Sequence, residues 1–511
     1  MGVRKNMINN IFRKSLVIGL IFILLGVNIF LSIGSISKIN KTTINNFEFL
    51  GNWFYVGGSG ANNYTSIQSA IENASDGDIV YVYDDSSPYN ENLEILGKSI
   101  DLIGENKDTT IINWNNTDNL IYVEHGKINI CGFTLQSTKR IMYISISNNN
   151  IVTDNIIRGS DGIFLRISNN NIISNNFFNS INSGGCGIGL CDSSYNAITN
   201  NVLINFSIFF DLANWDNPIF QNTISNNLVN DKPFIYYEEE SDKVIEEAGQ
   251  VILIKCDNIT VQNQEFSNLG YAIQLIETNN CLISNNTVSH CSNAIDLNYQ
   301  SSYNYISGNS ISDYHIGIFI NNNCIENNIC YNSLINSDGK GGGIKIFQQS
   351  NSNHIYMNTL DNSEVDRNGG AFDIYYTGNC NFSMNTIINF FVAFEVTGDS
   401  DNNIFYNNDI IDCTVGIWFG EEETLIQSLK QEGPKQNSVI NNNFKRVISM
   451  AISTFFIPKK QIWDGNFWGR SRIFPKIIIG LKFFGRIYIP GWVEFDMHPA
   501  KKPNDIFKIA I

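Results

Sequence analysis

Residues 281–311 read CLISNNTVSHCSNAIDLNYQSSYNYISGNSI, and one phrase occurs in them twice. Ile283, Asn286 and Val288 are echoed 23 residues later by Ile306, Asn309 and Ile311: an apolar residue, two variable ones, Asn, one variable, another apolar. Between the two copies lies Ala294-Ile295, a small residue followed by an aliphatic one. Toward the N-terminus the phrase returns as Val152/Asn155/Ile157, Ile173/Asn176/Phe178, Ile198/Asn201/Leu203 and Ile224/Asn227/Val229. Toward the C-terminus it returns as Ile355/Asn358/Leu360, Phe382/Asn385/Ile387, Phe405/Asn408/Ile410 and Val439/Asn442/Phe444. Asn328 fits with Cys330 as a weaker partner, and Asn263 is a looser copy.

A strand sends alternate side chains to opposite faces, so the apolar residues around each Asn share one interior. The Gly/Ala-apolar signal, as in Gly162-Ile163, Gly317-Ile318, Gly343-Ile344 and Gly416-Ile417, marks a further strand in each turn. Coils stacked about 4.8 Å apart place like residue over like, building aliphatic columns and an Asn ladder whose amides bond along the axis. Asn also tolerates the left-handed backbone of a sharp corner. The fold class expected is all-β, a right-handed parallel β-helix (solenoid), with residues 105–455 as its repeats. The Leu spacing of a horseshoe and the four-strand blades of a propeller are both missing.

Residues 53–104 read as an N-terminal cap with the first coils. Thr65–Ala74 has a helical apolar face (Ile67, Ala70, Ile71, Ala74), with Thr65 and Gln68 as a capping box and Gly77 as a stop. Residues 456–511 leave the repeat after Asn442 and Phe444 and read as a C-terminal aromatic and basic cap. Trp463, Phe467, Trp468 and Trp492 are expected to cover the last coil and hide its open edge. The alternative for this tail is a docking module for an acidic polymer or anionic lipid, through Arg470, Arg472, Lys476, Lys482 and Arg486.

Arg4, Lys5, Arg13 and Lys14 precede an apolar run over 16–36, so residues 1–37 read as an export signal or a membrane anchor. The expected location is extracellular or at the cell surface, with both cleavage and anchoring open. Of ten cysteines, most occupy coil positions and are expected to be small interior residues; Cys186 with Cys191, and Cys256 with Cys281, are the better candidates for bonding. The formal charge is -16. Residues 42–437 carry 15 basic and 45 acidic residues, whereas 438–511 carry 12 and 4. An acidic body argues against nucleic acid as partner.

The segments YTSIQSAIENASDGDIVYVY (64–83), NDKPFIYYEEESDKVIEEAGQVILIKCDNITVQNQEF (230–266) and WDGNFWGRSRIFPKIIIG (463–480) resemble NosD-like and pectin-lyase-like right-handed β-helix families, of the type found on archaeal cell surfaces. The resemblance covers most of residues 53–503 and is specific for fold. It implies a scaffold shared by binding proteins, accessory proteins that help deliver copper, and polysaccharide-active enzymes.

Copper needs soft or imidazole ligands brought together, and His125, His290, His315 and His354 share no repeat position. The Gly-His-Gly and Arg-Ile-Lys motifs of galacturonase-like relatives are missing from the coils, and the one Asp-Asp pair, Asp84-Asp85, precedes the repeats. Two long intervals carry acidic insertions: Glu238, Glu239, Glu240 and Asp242 in one, Glu421, Glu422 and Glu423 in the other. They are the candidate ligands for Ca²⁺, the one cofactor considered, against the alternative of solvated loops. The leading expectation is a non-catalytic surface β-helix that binds polysaccharide or another surface component. A polysaccharide lyase or glycoside hydrolase is the runner-up, followed by a copper-delivery accessory protein.

Overall fold

Each turn of the chain contributes up to three short strands, and strands one turn apart pair in parallel with like residues in register. Ile283 lies beside Ile306, Val288 beside Ile311 and Ile295 beside Ile318. These pairings come from a computed structural model that describes residues 51–506 except 116–118, 183, 212–219, 366–368, 421–432, 455–459 and 485–486. The export segment, residues 1–37, and Glu421, Glu422 and Glu423 lie outside the described residues. Among the described residues no helix is long and apolar enough to cross a membrane.

The result is an all-β parallel solenoid with three sheets running along it. Sheet I holds the strands flanked by Asn, sheet II follows it in each turn, and sheet III carries the Gly/Ala-apolar strands. Inward residues form continuous columns. One in sheet I runs Val261, Ile283, Ile306, Ile329, Ile355, Phe382, Phe405, Val439, Trp463, all buried. Toward the C-terminus the columns become aromatic: Phe372 stacks on Phe394 at 4.8 Å, and Phe444 on Trp468 at 4.6 Å.

From Ile151–Thr153 onward most sheet I strands are followed by a buried Asn. The Oδ1 of each accepts the backbone N–H and side-chain amide of its counterpart one coil earlier, through Asn155, Asn176, Asn201 and Asn227. The ladder resumes at Gln264 and continues through Asn286, Asn309, Asn332, Asn358, Asn385, Asn408 and Asn442 to Asn466. A buried amide bonded on both sides contributes about 1 kcal/mol net, but removing one strands several partners at once.

Five expectations need correcting. Asn328 is not a rung: it opens strand Asn328–Cys330, and Asn332 takes the ladder position. Asn263 likewise yields to Gln264, whose longer side chain reaches back to Ala248 N and Glu246 O across the irregular coil. The left-handed corner falls on the residue before the rung: Asn175, Asn200, Asn226, Asn285 and Asn441 have φ of 55–57°, and Gly308 and Gly465 take the same place. Doubled Asn-Asn is therefore a division of labour, the first turning the backbone and the second bonding along the axis. The repeat also runs past Phe444, because Trp463, Asn466 and Trp468 repeat the phrase in strands Ile462–Asp464 and Phe467–Trp468. Finally, helix Ile67–Asn73 is capped by Ser66, and Glu91 accepts from Ser66 Oγ, Ile67 N and Gln68 N, a tertiary cap in place of the local box.

A second ladder precedes the sheet I strands and was missed in the sequence. It runs through Asn150, Asn171, Asn196 and Asn222, and later from Cys281 through Asn304, Asn327 and Asn353. Its last part runs from Cys380 through Asn403 and Asn437 to Gln461. Cys281 is a rung itself, its Sγ accepting from Ile259 N at 3.3 Å. No disulfide joins Cys186 to Cys191 or Cys256 to Cys281. Burial pushes the Cys131, Cys281 and Cys380 thiols up to about 12, so they pack as neutral apolar groups.

The stack is interrupted once. Sheet I stops at Thr223–Ser225 and restarts at Val244–Ile245, while sheet III stops at Phe206–Asp211 and restarts at Lys232–Glu238. The chain crosses this seam by an antiparallel turn pairing Leu228–Val229 with Lys232–Pro233. Two glutamine side chains complete the broken edge. Gln250 accepts from Ile208 N at 2.9 Å and donates to Ile208 O, and Gln274 does the same with Phe210 at 3.1 and 3.0 Å.

Candidate functional site

The outward residues of sheet III form columns as regular as the core, because register puts one residue of each coil above the next. Before the seam the column is Tyr122, Tyr143, Phe164, Gly189 and Phe209. Tyr122 stacks on Tyr143 and Tyr143 on Phe164 at 5.8 and 5.6 Å, and Gly189 leaves room for Phe164 to meet Phe209. Arg140 lies 4.8 Å over the Phe164 ring. These rings spend their faces on one another, so the row braces the sheet and offers a ligand only ring edges.

Beyond the seam the column changes character: Gln274, Asp296, Phe319, Lys345, Asp373, Glu395 and Trp418. Each stands between two inward apolar residues, as in GGIKIF (342–347), GAFDIY (370–375), VAFEVT (392–397) and VGIWFG (415–420). Lys345 Nζ lies 3.2 Å from Asp373 Oδ2, with both side chains largely buried. Glycines create this cradle. A Cβ at Gly370 would fall 2.1 Å from Asp373 Oδ1, and one at Gly342 would fall 2.9 Å from Oδ2. Oδ1 itself is buried without a hydrogen-bond partner. Burial raises the Asp373 carboxyl above its usual range, with the Lys345 ammonium opposing it. Glu395 follows one coil on, its backbone about 4.8 Å from that of Asp373.

Asp296 is buried against the seam, where Gln274 Nε2 donates to its Oδ2 at 3.0 Å. Burial pushes its carboxyl up to about 7. The folded protein therefore holds this proton more tightly than the unfolded chain, and that contribution fades as pH rises from about 4 to about 7. Wild type minus Asp296→Asn stability, measured by urea unfolding, should fall by about 4 kcal/mol across that window and stay level above it.

The acidic residues singled out in the sequence do not converge. Glu238 accepts from Gln221 N and Tyr236 Oη, Glu239 sits in a left-handed turn, Glu240 pairs with Lys243 at 2.9 Å, and Asp242 accepts from Asn258. Among the described residues no three His, Cys, Asp or Glu side chains gather as metal ligands. His315 faces Asp338 at 2.9 Å and His290 faces Asp313 at 3.7 Å, on separate turns. Nine cysteines are buried, spread along the coils rather than gathered at one point. Among the described residues this set does not fit copper.

Sequence reading missed Lys345, Asp373, Glu395 and Trp418. The signal was present: each follows the Gly/Ala-apolar pair by one position. Reading that position down successive copies exposes the column.

The family model described as periplasmic copper-binding protein (NosD) matches residues 62–245 and 234–388. No curated protein matches the chain. Among solved structures, the catalytic domain of a GH87 alpha-1,3-glucanase in complex with tetrasaccharides is similar at 12% identity, with TM-score 0.36, over 85% of this chain and 71% of that one. PfbA, a surface adhesin of Streptococcus pneumoniae, is similar at 11% identity, with TM-score 0.29, over 85% of this chain and 95% of that one. The A-module of an Azotobacter vinelandii mannuronan C-5 epimerase is similar at 12% identity, with TM-score 0.27, over 78% and 92%. Likenesses at this level assign no activity. With the family match spanning well over half its length, the chain belongs to the family described as periplasmic copper-binding protein (NosD).

Proposed function

We propose that this chain is an extracytoplasmic solenoid that binds polysaccharide along the outer face of sheet III, centred on Lys345, Asp373, Glu395 and Trp418. The observation that carries this reading is the Lys345–Asp373 pair in its glycine cradle, beside Glu395 and Trp418 on the next coils. A column of polar side chains along the axis offers a linear polymer donors and acceptors at a repeating interval. Trp418 adds an apolar surface against which a sugar ring can pack. Wild type and Trp418→Ala should differ about tenfold in retention on an immobilised polysaccharide panel, the loss of about 1.4 kcal/mol of ring contact. Equal retention of the two proteins on every polysaccharide would remove the site from this face.

A second reading rests on the same pair. A buried carboxyl with a raised pKa beside a carboxylate on the adjacent coil is the arrangement a glycoside hydrolase uses for acid and base. New reducing or unsaturated ends produced by wild type and not by Asp373→Asn would replace binding by cleavage.

A further inference from the structure

The last two described strands, Lys476–Phe484 and Ile487–Asp496, form an antiparallel hairpin whose two faces are both apolar in part. Its inner face is used by the solenoid: Ile478 is buried, and Glu494 and Asp496 accept the last rungs of the two ladders. Its outer face carries Ile477 beside Phe495 and Ile479 beside Val493, all about half exposed. The preceding turn adds Ile473 and Phe474, which are 88% and 79% exposed. On a surface facing only water these positions would be polar, because large apolar groups gathered there gain nothing from folding.

The rim of this patch is basic. Burial first, and then the charge of Arg470 beside it, holds the Arg472 guanidinium below its usual range, while Lys476 turns to the inner face, its Nζ 5.8 Å over the Trp468 ring. Among the described residues neither arginine is ion-paired, and Arg472 Nε is buried without a hydrogen-bond partner. Residues 438–511 as a whole carry 12 basic residues and 4 acidic ones.

We propose that this hairpin docks on an anionic lipid surface, with Ile473, Phe474 and the outer hairpin residues entering the headgroup boundary and Arg470 and Arg472 meeting lipid phosphates. The choice among occupants follows from the two chemistries side by side. An acidic polysaccharide satisfies the cations but leaves the apolar residues in water. A second copy of this chain covers the apolar residues but brings two basic rims together. A lipid interface meets both, with basic residues held at headgroup level above buried apolar ones. The charge asymmetry agrees, since an acidic body is repelled from the same surface and orients the solenoid tail-first.

Hydrogen exchange on the full-length protein tests this, because it locates the contact independently of the N-terminal apolar segment. With vesicles of phosphatidylcholine containing about 30% phosphatidylglycerol, exchange over 473–479 and 493–497 should slow about tenfold, with no such change in pure phosphatidylcholine. Substitution of both Arg470 and Arg472 by Gln should remove most of that protection, each lost cation weakening binding about fivefold. Ile473→Ser with Phe474→Ser, at solvent-exposed positions, should weaken it while leaving exchange in the coils unchanged. Equal protection in both vesicle types, protection that appears with protein concentration alone, or equal protection by a soluble acidic polysaccharide would each overturn the proposal.

Discussion

Asp496→Ala should destabilise the protein by about 4–5 kcal/mol, among the largest losses expected from one polar substitution outside the core. The ladder of Asn residues has a direction: each side-chain amide donates toward the C-terminus, so the last rung requires an acceptor with nothing further to donate. Asp496 fills that place. Its Oδ2 accepts from Asn466 N at 3.0 Å, Asn466 Nδ2 at 3.2 Å and Trp468 Nε1 at 2.9 Å, in a fully buried setting. Alanine leaves three buried donors without partners, each costing about 1–3 kcal/mol. Asp496→Asn keeps an acceptor in the same place and should lose only about 1 kcal/mol, mainly at His498 N, which Oδ1 now accepts. Glu494, two residues earlier on the same face, ends the other ladder by accepting from Gln461 N and Trp463 Nε1. Urea unfolding midpoints of the two Asp496 variants check the claim. Equal loss for Ala and Asn would show that the charge, rather than the acceptor, matters.

Replacing both Gln250 and Gln274 by Leu should cost about 4–6 kcal/mol and change the kind of unfolding as well as its midpoint. At the seam the parallel pairing of the sheets stops, and the glutamine amides stand in for a missing strand, each pairing the N–H and C=O of one residue on Phe206–Asp211. Leucine keeps the volume but strands four buried backbone groups. Solenoid stability is a sum of coil terms and nearest-neighbour interfaces, so weakening one interface uncouples the blocks on either side. Calorimetry on the variant should show two transitions, an N-terminal block ending near Val229 and a C-terminal block beginning near Lys232. A single transition merely shifted to lower temperature would mean that the continuing contacts beside the glutamines, such as Phe209 on Tyr271 at 5.2 Å, carry the coupling.

The solenoid was legible in the sequence because its information is local and repeated. Ile283, Asn286 and Val288 determine one corner, and the same corner returning mostly every 21–27 residues leaves stacking as the way to bury it. The apolar columns and most ladder rungs follow from that period, and the helix before the first coil from its own helical spacing of Ile67, Ala70, Ile71 and Ala74. What it could not supply was register between unlike neighbours. Asn328 and Asn332 are four residues apart with similar surroundings, and only pairing with Asn309 and Asn358 selects the second. The seam appeared only as a long interval, because its closure depends on Ile208 meeting Gln250 and Phe210 meeting Gln274, 42 and 64 residues apart. The ending was hidden for the same reason, since Asp496 gains its role from a rung 30 residues before it.

The candidate site was decided at that level too. Lys345, Asp373, Glu395 and Trp418 lie in different copies of the repeat, and each alone is an outward residue on a short strand. Stacking places them in one column, and the missing Cβ atoms of Gly342 and Gly370 draw the Asp373 carboxylate down against the sheet. The sequence by itself determined the period, and with it the coil, its interior and the Asn rungs, because those rest on local alternation. Only the tertiary structure decided which residues of different coils face each other, because hydrogen-bond register and burial are properties of the stack.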